Sequence, residues 1–195
     1  MGNTRILFYV FLATALAGSV YLFNSINSSI KQTARIEKAE GLIIDKLKLI
    51  RDAELAYLAV NRQYTSDWDK LIEFVNTGEF YLTEKRETIF ELSYGVDSVV
   101  VEIDTLGTVS VLDSLFTKRF PDFDANDLPF VPGYKNVKFK VWADKISKSG
   151  LLVDAIEVVN PRPVNPERDE DSEYTTKKPL RFGSQYSITT TGNWE

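Results

Sequence analysis

The chain has no cysteine and no histidine. The absence of cysteine excludes disulfides and thiolate nucleophiles, and the absence of both removes the usual zinc ligands and the commonest general base. The catalytic groups that remain are a serine beside a lysine, as in Ser147-Lys148-Ser149, or paired carboxylates such as Asp169 and Asp171. Lys148 falls on a predicted polar turn, where its amine stays solvated, and no nucleophile, base and orienting group occur together. We therefore expect no enzyme activity, no cofactor, no bound metal and no small-molecule substrate.

The sequence also lacks any concentration of basic residues. Its 23 basic and 28 acidic residues are mixed along the chain and give a net charge of −5. A protein that binds nucleic acid carries a basic stripe or patch that follows the phosphates. We therefore expect no nucleic acid among the partners.

Proline is absent before Pro121, and between Asn3 and Tyr64 only Gly18 and Gly41 lower the helix propensity. Proline and glycine are the residues that most often interrupt a helix. The sequence therefore predicts one continuous helix of about 55 residues, roughly 80 Å long at about 1.5 Å per residue.

What the sequence does contain is an uncharged apolar run from Ile6 to Phe23. As a helix this run covers about 27 Å, which is close to the hydrocarbon thickness of a bilayer. We expect it to cross a membrane once and to contact lipid. The residues expected in the span are Ile6, Leu7, Phe8, Val10, Phe11, Leu12, Leu16, Val20, Leu22 and Phe23.

A cleaved secretory signal is the alternative for this run. Arg5 would be its charged start, and Ala15-Leu16-Ala17 its cleavage site. Apolar residues resume at Val20 beyond that site, which favours an anchor that stays attached. The basic residues Lys31 and Arg35 after the run favour a cytoplasmic body, but large domains cross membranes largely regardless of such charges. We expect a single-pass protein of a bacterial inner membrane with its body in the periplasm.

Beyond the apolar run, apolar residues recur at spacings of three and four, with charged residues between them. This pattern predicts an amphipathic helix whose apolar stripe must be covered. The expected packing stripe consists of Ile30, Ile36, Ala39, Ile43, Leu47 and Ile50. We expect the chain's own C-terminal domain to cover the distal half, and other copies or envelope proteins to contact the proximal half, from Ile30 to Ile43. The charged residues Glu37, Glu40, Asp52 and Glu54 are expected on a solvated polar face.

The helix is expected to end near Asn61. Ser66, with Asp69 three residues later, has the pattern of a reciprocal N-terminal cap for a second helix, and Gly78 is expected to end it in a left-handed conformation. Trp68, Leu71, Ile72 and Val75 fall on one face of this second helix, and Trp68, Phe74 and Tyr57 are expected in the core.

Two β-hairpins are predicted after the second helix. In the first, Val99, Val101 and Ile103 alternate with polar residues, and Thr105-Leu106-Gly107 is expected to form the turn. In the second, the alternation from 137 to 142 leads through a turn at 147–150 into a strand at 151–159.

Less regular segments separate and follow these hairpins. Leu112 to Phe120 is predicted as a short helix before a proline-rich connection, and Leu180 to Thr190 as an edge strand. Trp142 lies on the same side of its strand as Lys138 and Lys140. This position indicates either that Trp142 belongs to an exposed contact surface or that the sheet is buried on both faces.

The predicted fold class is α+β: a transmembrane helix continuing into a long amphipathic helix, then a small domain of antiparallel hairpins with one or two short helices. The expected division is an anchor at 1–24, a stalk helix at 25–62, an α+β domain at 63–160, and a polar linker with an edge strand at 161–195. The run from Pro161 to Lys178 has almost no apolar residues and predicts a solvated loop. The spacing of Asp122, Asp124 and Asn126 matches the first ligands of a calcium-binding loop. The glycine of the turn and the bidentate glutamate of such a loop are missing, so a solvated acidic loop is favoured.

This order of elements resembles that of type IV pilins and type II secretion pseudopilins. The local similarity lies in the residues at 51–57, Arg-Asp-Ala-Glu-Leu-Ala-Tyr, and in Tyr64-Thr65-Ser66-Asp67 with Leu71. The resemblance implies a structural protein that assembles through helix packing. The chain departs from the pattern because it has no prepilin cleavage motif and no glutamate early in the span. The segments 180–183 and 192–194 also resemble membrane-anchored proteins of Bacteroidetes-type bacteria.

The leading hypothesis is a membrane-anchored assembly protein of a bacterial envelope that forms homo-oligomers or binds other envelope proteins. An extracytoplasmic ligand-binding or sensory module is the first alternative. A secreted globular protein with a cleaved signal is the second.

Overall fold

The structure, a computed structural model, describes the backbone of residues 2–91 and 97–195. Side chains are described for the same residues except 2–6, 85, 87–91, 97–100 and 103. One helix, α1, runs without interruption from Gly2 to Asn61. This confirms the predicted continuous rod and its end near Asn61, and at about 1.5 Å per residue the rod is roughly 90 Å long.

A second helix, α2, spans Trp68–Thr77. The prediction that Ser66 caps it was wrong: Asp67 is the N-cap, and its carboxylate accepts a hydrogen bond from the backbone N–H of Asp69 at 3.0 Å. Gly78 is also not left-handed, since its φ and ψ are −70° and 151°. Gly78 fits because its N–H donates to the Phe74 carbonyl, and a Cβ there would lie 2.4 Å from that oxygen.

A long antiparallel pair follows, with β1 at Glu79–Glu91 and β2 at Asp97–Ser110. The strand predicted around Val101 is confirmed, but the turn predicted at Thr105-Leu106-Gly107 was wrong because these residues belong to β2. The partners of Leu82 and Thr83 are Gly107 and Thr105, so the register shifts at Leu106. Leu106 is therefore one extra residue in β2, which is a β-bulge. A bulge bends a strand but does not reverse it.

Between the two sheets the chain is mostly irregular, with a π-helix at Asp113–Thr117 and a 3-10 helix at Ala125–Asp127. Both agree with the short helix and the proline-rich connection expected there. A second sheet has the order β3-β4-β5, with β3 at Lys140–Lys148, β4 at Leu151–Val159 and β5 at Arg181–Gly183. Adjacent strands in this sheet are antiparallel. The second hairpin is confirmed, but Ser147 and Lys148 belong to β3 and not to the turn. Of the edge strand predicted at 180–190, only Arg181–Gly183 is a strand.

The core lies between the distal part of α1, α2 and the inner face of the second sheet. Its buried residues include Ile43, Leu47, Ile50, Ala53, Leu71, Val75, Phe116, Leu128, Phe139, Ile156, Val158, Leu180 and Phe182. A buried side chain of this size contributes about 1.5–3 kcal/mol to stability. We call residues 43–91 and 97–195 the head domain, since α1 supplies its core from Ile43 onward. The fold is α+β, and the chain's own domain covers the distal half of the stripe.

Candidate membrane anchor and head-domain cavity

The N-terminal part of α1 is apolar and exposed wherever the structure describes its side chains. Among the residues that the structure describes, one helix is long and apolar enough to cross a membrane, and none of its apolar window is buried. The expected span residues with described side chains, Leu7, Phe8, Val10, Phe11, Leu12, Leu16, Val20, Leu22 and Phe23, are all exposed. The side chain of Ile6 lies outside the described set. An apolar helix buried in a soluble core would be covered, so this helix has the properties of a single-pass anchor.

The two hydroxyl groups in the middle of the apolar run are satisfied by the helix itself. Thr14 Oγ1 donates to the carbonyl oxygen of Phe11 at 2.9 Å, and Ser19 Oγ donates to that of Ala15 at 2.8 Å. An unpaired hydroxyl in hydrocarbon costs several kcal/mol, about as much as other unsatisfied polar groups. These bonds make the segment compatible with lipid despite its two polar side chains.

The cover of the packing stripe changes along α1. Ile30 is 60% exposed, Ile36 and Ala39 are partly covered, and Ile43 is fully buried. From Phe23 to Ile43 the helix rises about 30 Å. This segment is therefore a spacer between the apolar run and the head domain, and the chain itself leaves its first half uncovered.

A partly buried ion pair fastens the long polar loop to α1, just before the helix enters the head domain. Arg168 donates through Nε to Glu40 Oε1 at 2.5 Å and through Nη2 to Oε2 at 3.1 Å. Its Nη1 donates to the carbonyls of Thr176 and Lys178. Residues 161–178 are mostly exposed and irregular apart from a 3-10 helix at Thr175–Lys177, but this bidentate pair holds them against α1. Glu40 therefore does not belong to a freely solvated face.

Glu54 is another exception to the expected solvated face, because its side chain is only 1% exposed. Its Oε2 accepts the backbone N–H of Thr65 at 3.1 Å, while Oε1 has no partner among the described residues. Burial raises the pKa of Glu54 to about 8, and the hydrogen bond from Thr65 only partly offsets this. The sequence contained the signal: Glu54 stands four residues after Ile50 and three before Tyr57, within the apolar stripe itself.

The C-terminal residues return to α1, which the sequence did not indicate. Arg51 donates to Glu195 Oε1 at 2.7 Å and to the carbonyl of Thr190 at 3.3 Å. This hydrogen bond from Arg51 lowers the pKa of the Glu195 carboxyl. The Asn193 side chain donates to the carbonyl of Pro179 at 3.1 Å, close to β5. The head domain is thus closed by residues that lie far apart in the sequence.

A cavity of about 790 Å³ lies between the outer face of the second sheet and the polar loop. Trp142 on β3 is the register partner of Glu157 on β4, so the two share this face. The sheet contributes Lys140, Trp142, Glu157, Val159 and Arg181, and the loop contributes Pro161, Pro163, Arg168, Asp169, Glu170 and Pro179. Its volume is typical of small-molecule and peptide sites. Trp142 is half-buried at its edge.

The remaining candidate residues have structural roles or lie apart. Asp124 caps the 3-10 helix by accepting the backbone N–H of Asn126 at 2.9 Å. Lys148 precedes the β3–β4 turn. Tyr57 and Phe74 pack edge to face with centroids 5.1 Å apart. In the described part of the chain, no three acidic side chains are grouped so as to hold a metal ion.

Comparison with protein-family models, with curated proteins and with solved structures gives no match to this chain.

Proposed function

We propose that this protein is a pseudopilin-like assembly protein, anchored by a single span in the inner membrane of a bacterium, with its head domain in the periplasm. Its action is geometric: the anchor places the rod, the spacer sets the height of the head domain, and helix contacts gather several copies or other envelope proteins. The observation that carries the proposal is the change in cover along one continuous helix, from the exposed Ile30 to the buried Ile43.

The exposed spacer has a face suited to helix packing. Ile26 and Ile30, four residues apart, are each about three-fifths exposed and lie on the same side of α1. A Cβ added at Gly41 would contact nothing within 4 Å, so a second helix has room to approach there. Apolar positions at this spacing pack against the same stripe of a neighbouring helix.

A contact inside the head domain supports the resemblance to pseudopilins. The residues at 51–57 and those at 64–67 carried that resemblance, and the hydrogen bond from Thr65 N–H to Glu54 joins them. The end of the long helix and the connection that follows it therefore form one structural unit.

Single cysteines test the assembly, since the chain has none of its own. We expect Ile30→Cys and Ile26→Cys to form disulfide-linked dimers in oxidised native membranes. The matched control is Gln32→Cys, which lies at the same height about 200° around the helix from Ile30. Equal cross-linking at Gln32 would indicate random collision, and no cross-linking at any of the three positions would contradict helix-driven assembly.

The membrane side is tested with Tyr186→Cys, because Tyr186 is 90% exposed on the head domain. A membrane-impermeant maleimide-polyethylene glycol should add its mass to this variant in intact spheroplasts. Labelling that requires lysis would place the head domain in the cytoplasm. Recovery of the full-length chain in the supernatant after ultracentrifugation, without detergent, would contradict the anchor.

A further inference from the structure

We propose that the cavity on the outer face of the second sheet binds an organic cation, namely an ammonium or guanidinium group on an apolar stem, such as the side chain of a lysine or arginine in a peptide. Trp142 in the lining, the hydrogen bonds already made within the cavity and the charge of the cavity favour such a ligand. This inference is independent of the assembly through α1.

Both arginines in the cavity are already paired with carboxylates. Arg168 is bound to Glu40, a residue outside the cavity, and to two backbone carbonyls. Arg181 donates to Glu157 at 3.4 Å, to Glu170, and to the carbonyl of Pro179 at 3.3 Å. Both guanidinium charges thus have carboxylate partners, and an anion beside Arg181 would also lie beside Glu157 and Glu170. Repulsion from these carboxylates makes the cavity less suited to an anion than to a cation.

Carboxylate acceptors, in contrast, remain available. Each carboxylate oxygen has two lone pairs, and the Glu157 oxygens each accept one hydrogen bond, from Arg181 and from Gln185. Asp169 Oδ1 accepts the backbone N–H of Asp171, and Glu170 is 60% exposed beside Arg181. A ligand that brings donors is the one that these groups can bind.

The charge balance favours the same ligand. Glu40 neutralises Arg168, so Glu157, Asp169 and Glu170 remain against Arg181 and Lys140, which leaves a net charge of about −1 in the cavity. An ammonium or guanidinium group restores neutrality. The face of a tryptophan ring attracts such cations, and more strongly where the cation is desolvated.

The apolar part of the lining accounts for the stem. Pro161, Pro163 and Pro179 line the cavity together with Trp142. They offer apolar surface to the methylene groups of a lysine or arginine, while the charged end reaches the carboxylates. The volume of about 790 Å³ leaves room for the residues on either side of a basic side chain.

The experiment uses the full chain in detergent micelles with ¹⁵N-labelled tryptophan. The chain has three tryptophans, so its indole N–H signals can be assigned with Trp142→Phe. The probe is acetyl-Gly-Lys-Gly-amide, and its uncharged match carries norleucine instead of lysine. We expect a saturable shift of the Trp142 signal with the lysine peptide and none with the norleucine peptide. Butylammonium tests whether the ligand is a free amine or a peptide side chain. It should bind as tightly as the lysine peptide if the residues beside the lysine contribute nothing, and more weakly if they contribute.

Two variants and a control complete the test. Isothermal titration calorimetry measures the variants, because Trp142→Leu has no Trp142 signal to follow. Trp142→Leu and Glu170→Gln should each weaken binding of the lysine peptide by about tenfold, since each removes a group that attracts the cation. Gln185→Glu, which adds a carboxylate beside Glu157, should tighten it. Glu167→Gln, an exposed change outside the lining, should leave binding unaltered. Equal binding of the norleucine peptide, tighter binding of a glutamate peptide, or no saturable shift would each overturn the proposal.

Discussion

Arg168 and Glu40 form a bidentate ion pair across 128 residues of sequence, with side chains only 12% and 15% exposed. The pair joins the polar loop to α1 just before the helix enters the core. A charge that is mostly removed from water depends on its partner, so loss of one member leaves the other without compensation.

We expect Glu40→Gln to lower the free energy of unfolding by about 2–4 kcal/mol, because Arg168 then keeps its charge without a carboxylate. Chemical denaturation of the full chain in micelles measures this change. The control is Asp52→Asn, which removes the partner of Arg119 in an exposed pair 3.9 Å apart and should cost at most about 0.5 kcal/mol. Equal costs for the two variants would show that the Arg168 pair is as weak as a surface pair.

Glu54→Gln should make stability less dependent on pH. The pKa of Glu54 is 4.5 when exposed and about 8 in the folded chain. Between these values the folded state holds a proton that the unfolded state has released, so the free energy of unfolding falls as pH rises. The contribution is complete below pH 4.5 and lost above about pH 8. Each pKa unit corresponds to about 1.4 kcal/mol.

Glutamine stays neutral and still accepts the Thr65 N–H, so the variant should lack this decline and be the more stable protein above pH 8. Unfolding curves at pH 5, 7 and 9 measure the difference between variant and wild type. Glu37→Gln, an exposed change on the same helix, serves as the control. A wild-type advantage that stays constant from pH 5 to 9 would contradict the raised pKa.

Truncation along the packing stripe should separate folding from assembly. Leu47→Ala removes a fully buried side chain and is expected to cost about 2–5 kcal/mol of stability. Ile30→Ala removes an exposed one and should change stability by less than about 0.5 kcal/mol. Combined with Ile26→Cys, Ile30→Ala should nevertheless reduce the cross-linked dimer. Unchanged dimer in that double variant would remove Ile30 from the proposed contact.

Two glycines with similar backbones give a matched pair. Gly183 and Gly150 have φ of +78° and +81°, but a Cβ at Gly183 would lie 2.0 Å from the carbonyl oxygen of Ile156, whereas a Cβ at Gly150 meets nothing within 4 Å. We expect Gly150→Ala to cost about 1–2 kcal/mol from the left-handed backbone alone. Gly183→Ala should cost at least about 3 kcal/mol because β5 must also shift. Denaturation compares them, and similar costs would contradict the role of the close approach.

Local patterns predicted the long helix, its end, the buried distal stripe and the second hairpin, and they predicted the edge strand longer than the three residues of β5. They failed where a tertiary contact decided the outcome. Gly107 and its neighbours have the composition of a turn, yet they pair with β1. The shift in register is taken up by a bulge at Leu106 in β2. Glu54 is buried because the connection after α1 brings the Thr65 N–H to it. The cavity forms because the ion pair of Arg168 with Glu40 holds the polar loop beside the sheet that carries Trp142. No spacing in the sequence indicates which acidic residue pairs with Arg168.

Because α1 is one continuous helix, there is no hinge between its apolar end and the head domain. Transmembrane helices tilt by about 20° on average, and a rigid spacer of about 30 Å converts this tilt into a sideways displacement of about 10 Å. Turning the helix about its axis likewise turns Trp142 and its cavity through the same angle. In the proposed anchored state, the tilt and rotation of the apolar end therefore set the direction in which the head domain points.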